Sequence, residues 1–290
     1  MGNPFPSLLV SPAELDSALT NSSSPRRIIP VAAGQPSHLP SFEAQHVPGS
    51  VFFNMEDIRD TTSPYPQMIP SATHFASSMT DLGLRPDDIL VVYDALEVGL
   101  YSSPRVAWAY RHFGHRDVHV LNNFPRYVTE EYPVSTGPWS ALPPQQRYPI
   151  KENPNEVISY DELHDLLSNT NHDRFQILDA RIPGRFSGAE PELNPLLRSG
   201  HMPFALNVPL ASILGNDKII LSAKELKAVF QNAGVDGKLP VILTCNSGVT
   251  AAALDLALQL SGYGMERRLY DGSWMEWTRR AEDVMLQVGA

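Results

Sequence analysis

The sequence predicts an α/β fold made of two tandem copies of one unit, each a mostly parallel sheet flanked by helices. Short apolar, β-branched segments alternate with segments that carry apolar residues at helical spacing, which is typical of βαβ units. The second observation is an internal repeat. Residues 46–54 precede an apolar strand in the first half, and the related residues 201–208 precede another apolar strand in the second half.

The repeat can be aligned residue by residue. Its related segments begin with His-x-Pro, at His46 in the first half and at His201 in the second. The strands that follow them end at Asp94 and Cys245. The alignment therefore places Asp94 where Cys245 stands, so that only the second copy carries a nucleophile.

Strands and helices alternate along both halves. Strands are predicted at residues 28–31, 89–93, 118–121, 175–178, 241–244 and 267–270. Helices are predicted at residues 12–19, 71–82, 104–113, 160–168, 223–233 and 250–260. Ser159 and Ser222 are suited to cap helix N-termini, and Gly83 and Gly234 are suited to end helices.

A proline-rich segment separates the two copies. Its prolines, set among polar residues, are Pro138, Pro143, Pro144, Pro149 and Pro154. Proline at that density resists both helix and sheet, so we expect a linker that runs over the surface. The predicted organisation is one domain over residues 1–137, a linker over residues 138–154 and a second domain over residues 155–290.

Composition excludes several classes of function. The chain has 22 Lys and Arg against 32 Asp and Glu, a net charge of −10, so neither a nucleic acid nor an anionic membrane is expected as a partner. No apolar run approaches the length of a transmembrane helix. A single cysteine excludes an internal disulfide and a Cys-x-x-Cys redox or zinc site. Glycine-rich phosphate-binding motifs are absent, so no nucleotide cofactor is predicted.

A histidine cluster is the one metal candidate that the sequence offers. His112, His115 and His119 span a predicted helix end, a turn and a strand. Structural zinc sites need four converging ligands, and no carboxylate motif completes this set. We therefore predict no metal and no cofactor.

The N-terminal residues bear on the compartment. Residues 1–11 lack the positive region and the apolar length of a secretory signal. Glu14 and Asp16 lie early in the chain, whereas mitochondrial presequences are rich in arginine and poor in acidic residues. We expect a cytoplasmic protein, with the mitochondrion as the alternative.

Cys245 is the only cysteine in the 290 residues, and it lies between a predicted strand and a predicted helix. The loop between these elements must fold tightly, and Gly248 supplies the permissive backbone. Consecutive N–H groups of such a loop, together with the helix N-terminus, form an anion cradle. A thiol in that cradle is stabilised as a nucleophilic thiolate, whereas a lone cysteine elsewhere is more often structural. The loop context favours the nucleophile.

Three sets of residues carry a family resemblance. They are the loop Cys245-x-x-Gly248-x-Thr250, the two His-x-Pro elements and the segment Asp271-Gly272-Ser273-Trp274-x-Glu276-Trp277. Together they resemble the tandem-domain rhodaneses, and among these the 3-mercaptopyruvate sulfurtransferases. The resemblance implies that the domain of residues 155–290 is catalytic and that the domain of residues 1–137 is non-catalytic. It also implies a ping-pong transfer of sulfane sulfur from a small-molecule donor through a Cys245 persulfide. The implied acceptor is a thiol, cyanide, or a protein such as thioredoxin or a sulfur-relay protein.

The residues after Cys245 bear on the choice of donor. Thiosulfate-preferring relatives tend to have basic residues at the next two positions, and mercaptopyruvate-preferring relatives tend to have Gly-Ser. Asn246 and Ser247 are both neutral, which favours 3-mercaptopyruvate over thiosulfate. Ser247 is also expected to assist catalysis, because its hydroxyl can form a hydrogen bond with a carbonyl or a sulfur.

The resemblance also implies which residues bind the donor. It places a carboxylate-binding cation at Arg185, whose guanidinium offers bidentate geometry. Many relatives have a second arginine further on, where this chain has Asn194, and Arg198 is predicted to replace that charge. The remaining predicted substrate-binding residues are Asn246, Gly248, Val249 and Thr250.

Two other functions remain open at this stage. The protein could be a sulfur carrier that delivers persulfide sulfur to a partner, which does not exclude the enzymatic reaction. It could instead be a rhodanese-like phosphatase, which also uses a cysteine in an anion cradle. Phosphatases of that kind need an arginine six residues after the cysteine to bind phosphate, and this chain has Ala251 there.

Overall fold

A computed structural model describes residues 2–21, 25–143, 147–169 and 172–289. The chain divides into two compact units. One unit, the first copy, comprises Met1–Thr62 and Ile69–Asn153. The other, the second copy, comprises Ser63–Met68 and Pro154–Ala290.

The first copy is built on a five-stranded parallel sheet. Its strands are β1 Leu9–Val10, β2 Ile28–Gly34, β3 Val51–Asn54, β4 Ile89–Asp94 and β5 Val118–Leu121. They lie in the order β1-β5-β4-β2-β3. The helices are α1 Pro12–Thr20, α2 Leu39–Ala44, α3 Ala72–Asp81, α4 Ser103–His112 and α5 Phe124–Thr129, with a 3-10 turn at Pro36–His38.

The second copy repeats this sheet strand for strand. Its strands are β6 Val157–Ile158, β7 Gln176–Asp179, β8 Ala205–Asn207, β9 Val241–Thr244 and β10 Arg267–Tyr270, in the order β6-β10-β9-β7-β8. The helices are α6 Tyr160–Ser168, α7 Pro183–Ser187, α8 Ala223–Asn232, α9 Val249–Leu260 and α10 Ser273–Arg280. Short 3-10 turns occur at Pro154–Glu156, His172–Arg174, Leu210–Ile213 and Asp283–Met285. The predicted pair of parallel sheets flanked by helices is confirmed.

Strand pairing aligns the two copies independently of the sequence motifs. The first residue of β5 pairs with β4, and the first residue of β10 pairs with β9. The two pairs are Val118–Leu90 and Arg267–Val241. Counting along β4 and β9 from these pairs brings Asp94 and Cys245 to the same position, as the repeat in the sequence predicts.

The cores explain why the central strands β4 and β9 carry runs of apolar residues. Helices cover both faces of a parallel sheet of this kind, so no strand face is left for water. In the first copy the core includes Leu15, Val91, Tyr93 and Phe124. In the second copy it includes Ile177, Ile242, Trp274 and Trp277.

The predicted helix ends are confirmed. Ser159 and Ser222 each accept a hydrogen bond from the main-chain N–H three residues on, and each serine N–H donates to the carboxylate of the glutamate there. Gly83 and Gly234 follow α3 and α8 with φ of +72° and +84°. Such left-handed backbone is favourable for glycine, so each helix stops where the glycine stands.

The proline-rich segment lies along the first copy. The N–H of Lys151 donates to the carbonyl of Phe113 at 3.1 Å. Tyr148 is buried, and its ring stacks on that of His115. Residues 144–146 of the predicted linker lie outside the described residues. The parts on either side of them pack on the first copy and form hydrogen bonds with it. This segment therefore has a defined structure and is not only a flexible connection.

Candidate active site

The loop after β9 has the predicted strand–loop–helix form. Cys245 follows the strand directly and is 2% exposed. Gly248 has a φ of +77°, and a Cβ there would lie 2.9 Å from the carbonyl oxygen of Asp271. Both the backbone conformation and the lack of space therefore require glycine. Helix α9 begins at Val249, one residue earlier than predicted.

The main-chain N–H groups of this loop are available to a ligand. Within the described part of the chain, those of residues 246–250 donate to no other residue. Asn246 and Ser247 are half-buried, and Gly248, Val249 and Thr250 are buried. N–H groups at a helix N-terminus bind anions. The residues predicted to bind substrate therefore keep main-chain donors beside the thiol, which supports the predicted anion cradle.

The matching loop of the first copy is filled by its own carboxylate. Asp94 is 1% exposed and accepts hydrogen bonds from the N–H groups of Tyr101, Ser102 and Ser103 at 3.1, 2.6 and 3.0 Å, and from the Ser103 hydroxyl. Burial raises the pKa of Asp94, and these donors act in the opposite direction. A carboxylate at this position therefore satisfies the N–H groups of residues 101–103.

The N-terminus of α10 holds the main chain of the nucleophile. The N–H of Trp274 donates to the carbonyl of Cys245 at 3.0 Å, and the N–H of Met275 donates to the carbonyl of Asn246 at 3.0 Å. The N–H of Cys245 donates to the Ser273 hydroxyl oxygen at 3.3 Å. The cysteine is thus held on both sides by consecutive residues that sequence reasoning noted only as a family motif.

A buried ionic network supports this helix end. The Arg181 guanidinium forms ion pairs with Asp179 at 2.6 Å and Glu192 at 2.9 Å, and donates to the carbonyl of Gly200 at 2.8 Å. It also lies 4.2 Å from the ring centre of Trp274. The two carboxylates compensate the buried charge of Arg181. An unpaired guanidinium in this place would destabilise the fold. The sequence signal, an acid and an arginine directly after a buried strand, was too general to reveal this network.

Arg185 lies on the same sheet edge as the cysteine loop. Its helix, α7, follows β7, and Asp179 at the end of β7 pairs with Thr244, the residue before Cys245. Arg185 is half-buried, and its Nε is buried with no hydrogen-bond partner among the described residues. This guanidinium therefore keeps donor capacity for a ligand, which supports its predicted role.

Arg198 is engaged elsewhere. Its guanidinium donates to the carbonyls of Thr278 and Ala281 at the end of α10, and it pairs with Asp283 at 2.6 Å. A cation at a helix C-terminus stabilises the exposed carbonyls and the helix dipole. These contacts explain Arg198 as a cap of α10, and its predicted part in binding substrate stays a prediction.

The histidine cluster of the first copy has structural contacts. His112 stacks on Trp108, with ring centres 5.1 Å apart. The His119 Nδ1 lies 2.6 Å from the carbonyl oxygen of Ser7. Among the residues that the structure describes, no group of His, Cys, Asp and Glu side chains is arranged to hold a metal ion.

Comparison with known protein sequences points to one family. Residues 159–280 match the rhodanese-like domain. The chain is 41% identical over 242 residues to the thiosulfate sulfurtransferase of Rattus norvegicus, covering 83% of this chain and 80% of the relative. It is 38% identical over 247 residues to the 3-mercaptopyruvate sulfurtransferase of Homo sapiens, covering 84% and 81%.

Solved structures agree over almost the whole chain. The Tum1 protein of Saccharomyces cerevisiae superposes with a TM-score of 0.88 at 34% identity, covering 97% of both chains. A sulfur transferase subunit of yeast mitochondrial complex I gives a TM-score of 0.85 at 32% identity, covering 97% of this chain and 99% of the other. The 3-mercaptopyruvate sulfotransferase SseA of Escherichia coli gives 0.78 at 33% identity, covering 92% and 99%. The chain therefore belongs to the rhodanese family of thiosulfate and 3-mercaptopyruvate sulfurtransferases.

Proposed function

We propose that this protein moves sulfane sulfur through a persulfide on Cys245, with 3-mercaptopyruvate as the preferred donor and thiosulfate used less well. The observation that carries the proposal is the open N–H cradle around the one cysteine. The first copy, with Asp94 in its cradle, has no thiol to take part. We therefore expect it to take no part in the chemical step.

The transfer is a two-step displacement. The Cys245 thiolate attacks the donor sulfur, an S–S bond forms and the donor C–S bond breaks. The electron pair leaves on carbon as the enolate of pyruvate, which takes up the proton of the new persulfide. In the second step a thiolate acceptor attacks the outer sulfur, and Cys245 leaves as a thiolate. The N–H groups of residues 246–250 stabilise the anionic sulfur in both steps.

The other site residues orient the donor. Arg185 binds the donor carboxylate through charge-assisted hydrogen bonds. The Ser247 hydroxyl, which makes no hydrogen bond to another described residue, donates to the donor carbonyl or sulfur. Asn246 adds no charge beside Cys245. One guanidinium and neutral neighbours suit a single carboxylate better than a compact dianion.

Steady-state kinetics with both donors test the proposed preference. With cyanide or a dithiol as acceptor, we expect a higher kcat/KM for 3-mercaptopyruvate than for thiosulfate. The double variant Asn246→Arg, Ser247→Lys should shift the preference toward thiosulfate. The control Gln231→Lys places a charge on the exposed face of α8 and should leave the ratio unchanged. A wild-type preference for thiosulfate would overturn the neutral-loop argument.

The acceptor is a separate part of the proposal. We infer that either a small thiol or a protein such as thioredoxin or a sulfur-relay protein can take the sulfur. The yeast relative that is a subunit of mitochondrial complex I supports transfer within a protein assembly. Comparing turnover with dithiothreitol and with reduced thioredoxin separates the enzyme from a dedicated sulfur carrier, because a carrier would turn over only with the protein.

The compartment is proposed to be the cytoplasm, with the mitochondrion as the alternative that the yeast relative supports. In the described part of the chain, no helix is long and apolar enough to cross a membrane. Cell fractionation with an antibody against the native protein tests the location. The phosphatase alternative has little support, because Ala251 is fully buried within α9 and no guanidinium occupies its place.

A further inference from the structure

We propose that Ser273 is a positioning residue for sulfur transfer at Cys245, an inference that rests on the function proposed above. Its side chain is fully buried and connects two parts of the second copy. The hydroxyl oxygen accepts the N–H of Cys245 at 3.3 Å, and the hydroxyl donates to the carbonyl of Tyr270 at 2.8 Å. One hydroxyl therefore ties the nucleophile to the end of β10.

The backbone of Ser273 indicates that this hydroxyl is needed. Its φ is +49°, in the left-handed region that few residues other than glycine adopt. Glycine would fit this backbone with less strain. Strained residues of this kind are held in place at functional sites by the surrounding structure. Serine at this position therefore costs stability, and what it adds over glycine is the contact with Cys245.

The first copy supplies a natural comparison. Ser273 is the first residue of α10, after β10, and Phe124 is the first residue of α5, after β5. Phe124 is a buried core residue without a hydroxyl, and its φ is not positive. The copy that carries Asp94 in place of a nucleophile thus lacks the hydroxyl as well. The hydroxyl and the cysteine occur together.

The contact has a defined effect on the loop. It engages the N–H of Cys245, so that the cradle begins with the N–H of the next residue. It also fixes the peptide plane from which the cysteine side chain extends. Without the hydroxyl, the buried N–H has no acceptor and the peptide can rotate toward water or another acceptor. Sulfur transfer should then slow, while binding of the donor carboxylate by Arg185 should not change.

Two variants separate positioning from stability. Ser273→Gly and Ser273→Ala both remove the hydroxyl, but only the glycine variant relieves the backbone strain. We expect kcat to fall about five- to tenfold in both, with KM for 3-mercaptopyruvate within about twofold of wild type. The Tm should be unchanged or higher for Ser273→Gly and lower for Ser273→Ala. The control Ser222→Ala removes a helix cap in the same copy and should lower Tm without changing kcat.

A wild-type kcat in Ser273→Gly would overturn the proposal. So would a kcat that follows Tm across the three variants. The rate of Cys245 alkylation by iodoacetamide gives a readout that does not depend on sulfur transfer, and it should differ between wild type and Ser273→Gly. If the wild-type protein fails to transfer sulfur but the alkylation rates differ, the proposed function fails and the positioning role stands. If Ser273→Ala does not fold, Ser273→Gly still decides.

Discussion

At the carboxyl end of the central strand β4, the first copy buries Asp94 among main-chain N–H groups. At the end of β9, the second copy places Cys245 beside N–H groups that have no acceptor in the described part of the chain. The loops differ in length as well. Residues 95–102 separate Asp94 from α4, whereas residues 246–248 separate Cys245 from α9. The longer loop folds back on its own carboxylate, and the shorter one leads straight into the helix.

This difference shows how one scaffold supports two roles. The Asp94 carboxylate satisfies the N–H groups of the first copy, so we expect its loop to contribute to stability and to leave no donors for a second anion. The N–H groups of the second loop donate to no carboxylate of the described residues, and hydrogen bonds from Trp274 and Met275 hold the main chain of Cys245 and Asn246. Preorganised donors of this kind are effective in catalysis because they need no rearrangement when charge develops.

The largest effect is expected when the thiol that distinguishes the second copy is removed. Cys245→Ser should reduce sulfur transfer by more than about 10³-fold, because a serine alkoxide is not available at neutral pH. Cys245→Asp, which copies the first half, should also be inactive but keep its Tm, since a carboxylate satisfies the N–H groups. Mass spectrometry of donor-treated wild type should show one added sulfur on the Cys245 peptide. Sulfur transfer by Cys245→Ser would refute the covalent mechanism.

The second prediction concerns Arg185, the cation proposed to bind the donor beside Cys245. Arg185→Ala should raise KM for 3-mercaptopyruvate about 10- to 100-fold, because it removes a charged hydrogen-bonding partner. Arg185→Lys should recover part of this loss, since lysine keeps the charge without the bidentate geometry. Arg126→Ala, which removes an exposed arginine from the first copy, serves as the control. An unchanged KM in Arg185→Ala would show that another group binds the carboxylate.

Arg198 gives a third test at the same site. Because its donors are engaged by Thr278, Ala281 and Asp283, Arg198→Ala should lower Tm and leave KM within about twofold of wild type. Thermal unfolding and steady-state kinetics on one preparation check both outcomes. A rise in KM without loss of Tm would instead assign Arg198 to the donor site, as the sequence suggests.

The filled cradle should respond in stability and not in rate. Asp94→Ala leaves three N–H groups and a hydroxyl without their buried acceptor, which should cost about 1–3 kcal/mol of the free energy of unfolding. We expect kcat to change less than about twofold. Urea unfolding and turnover, measured in parallel, test this. A large loss of kcat at unchanged stability would give the first copy an active role in catalysis.

The smallest expected difference lies in the capping boxes that begin α1 and α6. A hydrogen bond from the Ser159 N–H, and to a smaller extent one from Arg268, lowers the pKa of Glu162 from its ordinary value of 4.5 to about 2. Glu162 therefore stabilises the fold above pH 4.5, and this contribution is lost as pH falls from 4.5 toward 2. Glu162→Gln should cost about 0.5 kcal/mol at pH 7, because the side chain is half exposed and screened.

Urea unfolding at pH 7 and pH 3 checks this prediction, since the difference between wild type and Glu162→Gln should shrink at the lower pH. Glu14, which caps α1 in the same way but pairs with no basic side chain among the described residues, is the matched control. Glu14→Gln should lose less stability at pH 7. Equal losses would show that Arg268 adds nothing to the second capping box.

Sequence patterns predicted the long elements of this fold and missed the short ones. Strands such as β4 and β9 stand out because both faces are buried and nearly all of their residues are apolar, up to Asp94 and Thr244 at their ends. The outer strands β1 and β6 have two residues each, too few to show any period. Strands β3 and β8 lie inside the repeated His-x-Pro segments, and helix α7 is only five residues long.

The features of the site also fall into two groups, those that local sequence predicts and those that depend on tertiary contacts. Cys245, Gly248 and the loop cradle follow from local sequence, because strand, glycine and helix are contiguous. The contact of Ser273 with the Cys245 N–H joins residues 28 positions apart, and no local pattern carries it. The engagement of Arg198 with the end of α10 is likewise a tertiary contact. The family resemblance points to Arg185 and Arg198, but the fold determines which guanidinium keeps hydrogen-bond donors for a ligand.

The order of strands in each sheet also determines when the protein becomes active during its synthesis. β10 lies between β6 and β9, so the second sheet cannot close until its last strand has left the ribosome. Non-local parallel pairing of this kind forms slowly. Cys245 emerges before β10 and before α10, whose first residues hold its carbonyl and its N–H. A nascent chain that ends before Arg267 therefore carries the thiol without the contacts that fix its main chain, and the nucleophile is among the last parts of the protein to become ordered.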